Sequence, residues 1–305
     1  MAASLRELRQ RRSSVQATQK ITKAMELIAA SRIVKAKKAA EQSLPYTREL
    51  NRAVAAVAAH ADFEHPLTQE AENPRRAVVV LFTSDRGLNG SYSTNAIKVA
   101  AQLVERLQSE GKEVVRFVVG NKGIRHHNFR GIKIAKEWRG CTDAPTYADA
   151  VDIADALLSA FRTPYEDGGS CEIYAVYTRM RSMLVQEARA RRVLPIEVVE
   201  EGSDIADAPD LSPAIEPYDF EPSPKAVLDQ LLQLYVRNRL WFYLLECSAS
   251  QLASQQRAMK AATDNAGELI RTLTREANQA RQAEITQEIS EIVGGASALA
   301  EATSE

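Results

Sequence analysis

The sequence predicts an α/β protein: a long antiparallel coiled coil of N- and C-terminal helices plus a central Rossmann-like α/β domain. Three observations carry this. Residues 4–59 and 225–300 lack proline apart from Pro45, and helices of that length, rising about 1.5 Å per residue, outreach a compact domain and need a partner. The middle alternates apolar strand-like runs with amphipathic stretches, as a mainly parallel sheet requires. Charge is divided between the ends: residues 1–52 hold 12 Lys/Arg against 4 Asp/Glu, and residues 225–305 hold 8 against 10. Such a division favours pairing of the ends and leaves base over for another acidic partner.

Taken in order, residues 1–61 form the first coiled-coil helix. Leu5, Leu8, Val15, Thr22, Met25 and Ile28 make a narrow stripe at spacings of mostly three, four and seven, which suits a coiled-coil seam rather than a broad buried face. Pro45 is expected to kink or interrupt the helix. The α/β domain spans residues 75–201. Residues 77–83 (AVVVLFT) read as a buried parallel strand, followed by the turn Ser84–Gly90 and a helix over 94–109. Further strands are expected at 113–119, 132–136, 172–178 and 194–200, with a helix over 147–161 and a turn at Gly120–Gly123. Residues 202–224 are an acidic linker with five prolines. The closing helix, 225–305, is apolar nearly all round as far as Leu245. It then narrows to a stripe ending in Ile285, Ile289, Ile292, Ala296 and Leu299, whose 4-3-4-3 steps mark a seam.

Composition excludes several classes. Three scattered cysteines, Cys141, Cys171 and Cys247, give neither a disulfide framework nor a zinc motif. No apolar run approaches the roughly 18–20 residues of a membrane span. The helical pattern beginning at Leu5 leaves no room for a removable leader. Adjacent His126 and His127 diverge on any regular element, so no metal site is expected. The turn Ser84–Gly90 sits where phosphate is commonly cradled but lacks GxGxxG or GxxxxGK[ST] spacing, so a tight turn, or a subunit contact through Asp85 and Arg86, is the better reading. Asp149, Asp152 and Asp155 share a helix face, read here as solvated. No catalytic residue and no cofactor are expected.

Polar residues crowd the last seam: Asn278, Arg281, Gln282, Thr286, Glu288 and Glu291. An uncomplicated coiled coil keeps such groups sparse, so this face is read as one that docks on other proteins. Gly294 and Gly295 each cost about 1 kcal/mol relative to alanine in a helix, which points to close approach by a surrounding wall.

Three segments together resemble one family. Lys20-Ile21-Thr22-Lys23-Ala24-Met25 with Ala29-Ala30-Ser31, Ser84-Asp85-Arg86-Gly87-Leu88, and residues 281–296 (RQAEITQEISEIVGGA) are similar to the γ subunit of bacterial F-type ATP synthase, in order and over nearly the whole chain. Asn89 departs from the pattern, where many members carry cysteine. The resemblance implies a non-catalytic rotor subunit, the central stalk, whose two helices thread an α3β3 hexamer. The α/β domain would sit beside the ε subunit and the c-ring, and proton-driven rotation would be coupled to ATP synthesis in the β subunits. It implies a peripheral position on the cytoplasmic side of the inner (plasma) cell membrane, held through the complex. Arg9, Arg12, Lys20 and Lys23 would meet acidic β loops, and Arg281, Gln282, Thr286, Glu288 and Glu291 would form a contact set opposite Met25. The alternative from another class is a basic coiled-coil nucleic-acid-binding protein, disfavoured because the bases are spread around the helix with few aromatics among them. A nucleotide-dependent enzyme built on the central domain is a third.

Overall fold

The computed structural model describes residues 4–60, 65–196, 221 and 223–302. The expected linker, apart from its last residues, lies outside them. Two helices bracket everything else, α1 (Leu5–His60) and α5 (Pro224–Ala302), and the chain forms two compact units: residues 1–28 with 256–305, and residues 29–255.

In the first unit, α1 and α5 run antiparallel. Thr22 and Thr263 join their hydroxyls at 2.8 Å, and Gln19 Nε2 donates to the Thr263 carbonyl at 3.5 Å. Further along, Leu8 packs with Leu273 and Ala277, flanked by Leu5, Val15 and Ala280. As positions fall along α1, their partners rise along α5, which defines the direction. The stripe is only partly as expected: Ile28 and Leu269 face solvent.

The second unit holds the sheet: β1 (Arg76–Phe82), β2 (Glu113–Val119), β3 (Lys136–Trp138), β4 (Glu172–Met180) and β5 (Gln186–Leu194), in spatial order β3-β2-β1-β4-β5. The first four are parallel and β5 returns antiparallel to β4. Helices α2 (Tyr92–Ser109), α3 (Asn121–Phe129) and α4 (Tyr147–Arg162) supply the crossovers. One face of β1 packs Ala77, Val79 and Leu81 on α2. The other packs Val78, Val80 and Phe82 with α4 and with the all-round apolar section of α5, including Leu232, Val236, Leu240 and Leu244. That section of α5 is apolar because it lies in a core.

Five expectations are corrected. α1 passes through Pro45 as one helix. The proline is exposed, so the carbonyl it leaves unbonded faces water, while Thr47, Leu50 and Val54 hold the helix inward; Asn238 Nδ2 donates to Thr47 Oγ1 at 2.9 Å. The strand expected at 194–200 is instead Gln186–Leu194, an arginine-rich edge strand whose polar outer positions hid it, and residues 197–200 lie outside the described ones. The strand expected at 132–136 starts only at Lys136. Gly120–Gly123 is not a simple turn but opens α3. The aspartates of α4 do more than face solvent: Asp149 forms a capping box with Thr146, Asp152 accepts from Trp138 Nε1 at 2.6 Å, and Asp155 pairs with Arg237 at 2.8 Å.

Candidate functional site

The sheet order changes direction between β1 and β4, the switch point where doubly wound sheets bind ligands. Here α5 fills it. Tyr92 Oη, at the start of α2, donates to the Cys247 carbonyl at 3.2 Å, and Ser250 Oγ donates to the Thr178 carbonyl at 3.0 Å. Met180 N–H donates to Glu246 Oε2 at 2.8 Å. Burial pushes the Cys247 thiol up to about 12, and burial followed by nearby Asp85 does the same for Cys141, so both are inert apolar groups rather than nucleophiles. Nothing in the sequence beyond the apolar breadth of α5 pointed to this closure.

The turn after β1 is fixed by Asp85. Its carboxylate accepts from Asn121 N–H and Nδ2 at 3.1 and 3.0 Å and from Thr142 N–H and Oγ1 at 3.1 and 2.7 Å. The Asp85 N–H in turn donates to Thr142 Oγ1 at 2.9 Å. Burial pushes this carboxyl up, but bonds from Gly140, Thr142 and Asn121 outweigh it and leave the pKa below the ordinary value. Asn89 closes the turn by donating to the Arg86 carbonyl. Arg86 points outward and pairs with Asp143 at 2.8 Å. Asp85 thus ties the ends of β1, β2 and β3 together, and Arg86 is the member of the pair turned to solvent.

A depressed carboxylate pKa stabilises the fold fully above its unfolded value and less as pH falls through the folded one. Asp85→Ala is therefore expected to lower stability by about 2 kcal/mol near neutral pH, where several charge-assisted bonds are lost. Its deficit relative to the wild type should shrink below about pH 4. Urea titrations at pH 7 and pH 3.5 check both.

The residues expected to contact the hexamer all lie in the first unit. Arg9, Lys20 and Lys23 are exposed; Arg12 and Met25 are half-buried. Lys23 pairs with Glu26 on its own helix at 3.1 Å. Arg281, Gln282, Thr286, Glu288 and Glu291 are all exposed, and beyond α5's own turns they touch nothing in the described part of the chain. The two sets are not opposite each other, which corrects the expected arrangement. Met25, three residues past Thr22, stands level with the region around Lys260, whereas Arg281 stands level with the N-terminal start of α1. Twenty-one residues of α5 separate these levels, about 30 Å of helix.

The last stretch of α5 is the unusual surface. Every residue from 281 to 296 is exposed, yet Ile285, Ile289, Ile292 and Val293 lie among them, Ile292 with 71% of its surface open. A β-carbon added at Gly294 or Gly295 would meet nothing within 4 Å. An apolar ladder on a helix that packs against none of the described residues marks a surface meant for other molecules.

Comparison with known proteins bears on what those molecules are. The family described as ATP synthase matches residues 4–299. The chain is 53% identical to the ATP synthase gamma chain of Cutibacterium acnes, across 99% of this chain and 98% of that one. It is 54% identical to the ATP synthase gamma chain of Thermobifida fusca, across 99% of each. Among solved structures, a chain of the Euglena gracilis mitochondrial ATP synthase rotor shares the fold with a TM-score of 0.62 at 16% identity, over 92% of this chain and 98% of that one. A chain of the OSCP/F1/c-ring structure from the same source gives 0.65 at 14% identity, over 97% and 94%.

Proposed function

This chain belongs to the ATP synthase gamma chains and is thereby a subunit of that membrane-bound complex, and we propose that it is the complex's central-stalk rotor, coupling proton-driven rotation to ATP synthesis without catalysing it. The observation that carries this reading is the stretch 281–296, an exposed apolar ladder rimmed by polar groups and lying past the end of its partner helix. A hexamer of α and β subunits closing around it would bury the isoleucines without gripping any one angle. The seam below, Leu8 against Leu273 and Ala277, stiffens the shaft.

The exposed cations Arg9, Lys20 and Lys23, with half-buried Arg12 and Met25, would face acidic loops of the β subunits. Solvent-exposed ion pairs are worth about 0–1 kcal/mol each, which holds a rotor without trapping it at one position. Arg281, Gln282, Thr286, Glu288 and Glu291 would exchange hydrogen bonds with the hexamer higher on the shaft. In the second unit, Arg86 is the outward group for a subunit contact and Asp85 holds its turn in shape. The ε subunit and the c-ring are the expected partners of the α/β domain. Among the described residues no helix is long and apolar enough to cross a membrane, consistent with a peripheral subunit attached through the complex on its cytoplasmic side. The divisions 1–61, 75–201, 202–224 and 225–305 are kept as the proposed functional parts of the chain. Family membership leaves the nucleic-acid-binding alternative without support.

The test is co-purification. Tagged full-length chain should retain α, β and ε from its own cells, and a quadruple variant Ile285→Asp, Ile289→Asp, Ile292→Asp, Val293→Asp should retain ε but lose α and β. Equal recovery of α and β with both chains would contradict the assignment of the ladder.

A further inference from the structure

Residues 114–139 carry seven Lys/Arg against one acid, Glu137. Arg139 takes that acid at 2.8 Å, and Lys136 lies 5.9 Å from the centroid of the Trp138 ring. Among the described residues the other five, Arg116, Lys122, Arg125, Arg130 and Lys133, pair with no carboxylate. Four of them are exposed, as unpaired cations ordinarily are. Arg116 is not: it is half-buried, in the middle of a strand flanked on both sides by β1 and β3.

Alternation along β2 puts Val114, Arg116 and Val118 on one face. Arg116 stands opposite Val79, on the face that packs on α2. Helix α3 approaches the same face at Gly123, where an added β-carbon would stand 2.8 Å from Val118. An apolar residue would suit this position. Burial alone holds the Arg116 guanidinium below its ordinary pKa, with no opposite charge to offset it, so the charge is drawn out of water uncompensated. The second polar group here is His127, 7% exposed, one turn past Gly123 on α3. Its Nδ1 donates to the Gly123 carbonyl at 2.8 Å; because a carbonyl only accepts, the ring proton sits on Nδ1 and Nε2 keeps its lone pair. Burial, with His126 and Arg116 nearby, outweighs that bond and pushes the imidazole pKa down, which keeps the ring neutral near pH 7. The loop after α3 ties the two residues together. Ile132 N–H donates to the His127 carbonyl and Ala135 N–H to the Arg116 carbonyl, each at 2.9 Å, so Arg130 and Lys133 lie on the segment that runs from one to the other.

A planar fork of donors beside a lone-pair acceptor, with cations around them and no carboxylate, fits an oxyanion that carries a proton of its own. We infer that Arg116 and His127 form a binding site for inorganic phosphate on the face of β2 shared by α2 and α3, with Arg130 and Lys133 at its rim. The charged phosphate oxygens accept from the Arg116 fork, and the P–OH donates to His127 Nε2. Near neutral pH inorganic phosphate always keeps at least one P–OH. Sulfate and the phosphodiester of a lipid headgroup have none, and a phosphomonoester has lost most of its own above about pH 6. The pattern of donor and acceptor therefore selects free phosphate, a substrate of ATP synthesis, over the other sources of the same group. The inference is independent of the rotor assignment, since every group in it belongs to the second unit.

Calorimetric titration of the full-length chain at neutral pH and constant ionic strength tests it. Inorganic phosphate should bind about tenfold tighter than sulfate or methyl phosphate, the size expected of one hydrogen bond to a charged group. Arg116→Gln should abolish phosphate binding while melting no lower than the wild type, because it removes an uncompensated charge. Phosphate should raise the melting midpoint of the wild type and leave that of Arg116→Gln unmoved. His127→Asn, whose amide can still donate to the Gly123 carbonyl but lacks Nε2, should bind phosphate only as well as sulfate. Equal affinity for phosphate and sulfate overturns the proposal, as does binding that survives Arg116→Gln. Heat seen only with phosphatidylglycerol vesicles, or no binding at millimolar phosphate, overturns it too. A midpoint of Arg116→Gln well below wild type would show that the guanidinium is already paired, with the same consequence.

Discussion

Gly120→Val is expected to unfold the second unit, with a loss of about 4 kcal/mol or more. Gly120 has φ +98 and ψ 137, a region open to glycine and strained by about 1–3 kcal/mol for other residues. The site is also crowded. A β-carbon there would stand 2.4 Å from the Thr83 carbonyl oxygen and 2.8 Å from Thr83 Oγ1, and Thr83 cannot yield. Its side-chain oxygen lies 2.9 Å from the Val119 carbonyl and accepts the Gly123 N–H at 2.9 Å, while its N–H donates to Val119 at 2.8 Å. Two strand ends and the start of α3 therefore meet at one threonine and one glycine. Thermal melting of the purified chain followed by circular dichroism should show loss of cooperative unfolding; a midpoint within 1 °C of wild type would refute the assigned geometry.

Leu273→Asp should have a comparable effect on the first unit. Leu273 is 2% exposed against Leu8. Removing a buried leucine forfeits about 2–3 kcal/mol, and an unpaired carboxylate in its place costs several more. The other apolar members of this seam, Leu5, Val15 and Ala280, are only partly buried, and Thr22, Gln19 and Thr263 form a polar level beyond them. The N-terminal part of α1 should come away from α5 and become cleavable by trypsin at Arg6, Arg9, Arg11 and Arg12, while the second unit keeps its melting behaviour. Protection equal to wild type would contradict the seam. In the assembled complex the same change should sharply reduce ATP synthesis, since a single helix bends where a pair resists.

Much of this architecture is legible in the sequence because it rests on repetition. Leu8, Leu273 and Ala277 belong to stripes readable as a seam, and AVVVLFT could only be a strand buried on both faces. What escaped reading depends on single contacts. α3 carries no strong apolar period and begins at a glycine whose backbone angle no pattern announces. β5 exposes arginines along an edge, so an apolar run further on drew the strand away from its true position. The spacing of the contact set relative to Met25 depends on where α1 ends against α5, a register fixed by Thr22 and Thr263 across 241 residues of chain. The stripes of both helices continue past that point, and neither reveals the offset alone.

A chain that turns as a shaft within a ring of other subunits must carry any mark fixed to its α/β domain around with it. Ser109 is exposed on α2, whereas the native Cys141 and Cys247 are buried, so Ser109→Cys in a Cys171→Ser background offers one labelling point on the α/β domain. A bead or gold particle attached there, with the surrounding hexamer fixed to glass, should rotate in one direction on addition of ATP and pause at three positions per turn. A complex that hydrolyses ATP at the wild-type rate while the particle stays still would contradict the rotor account.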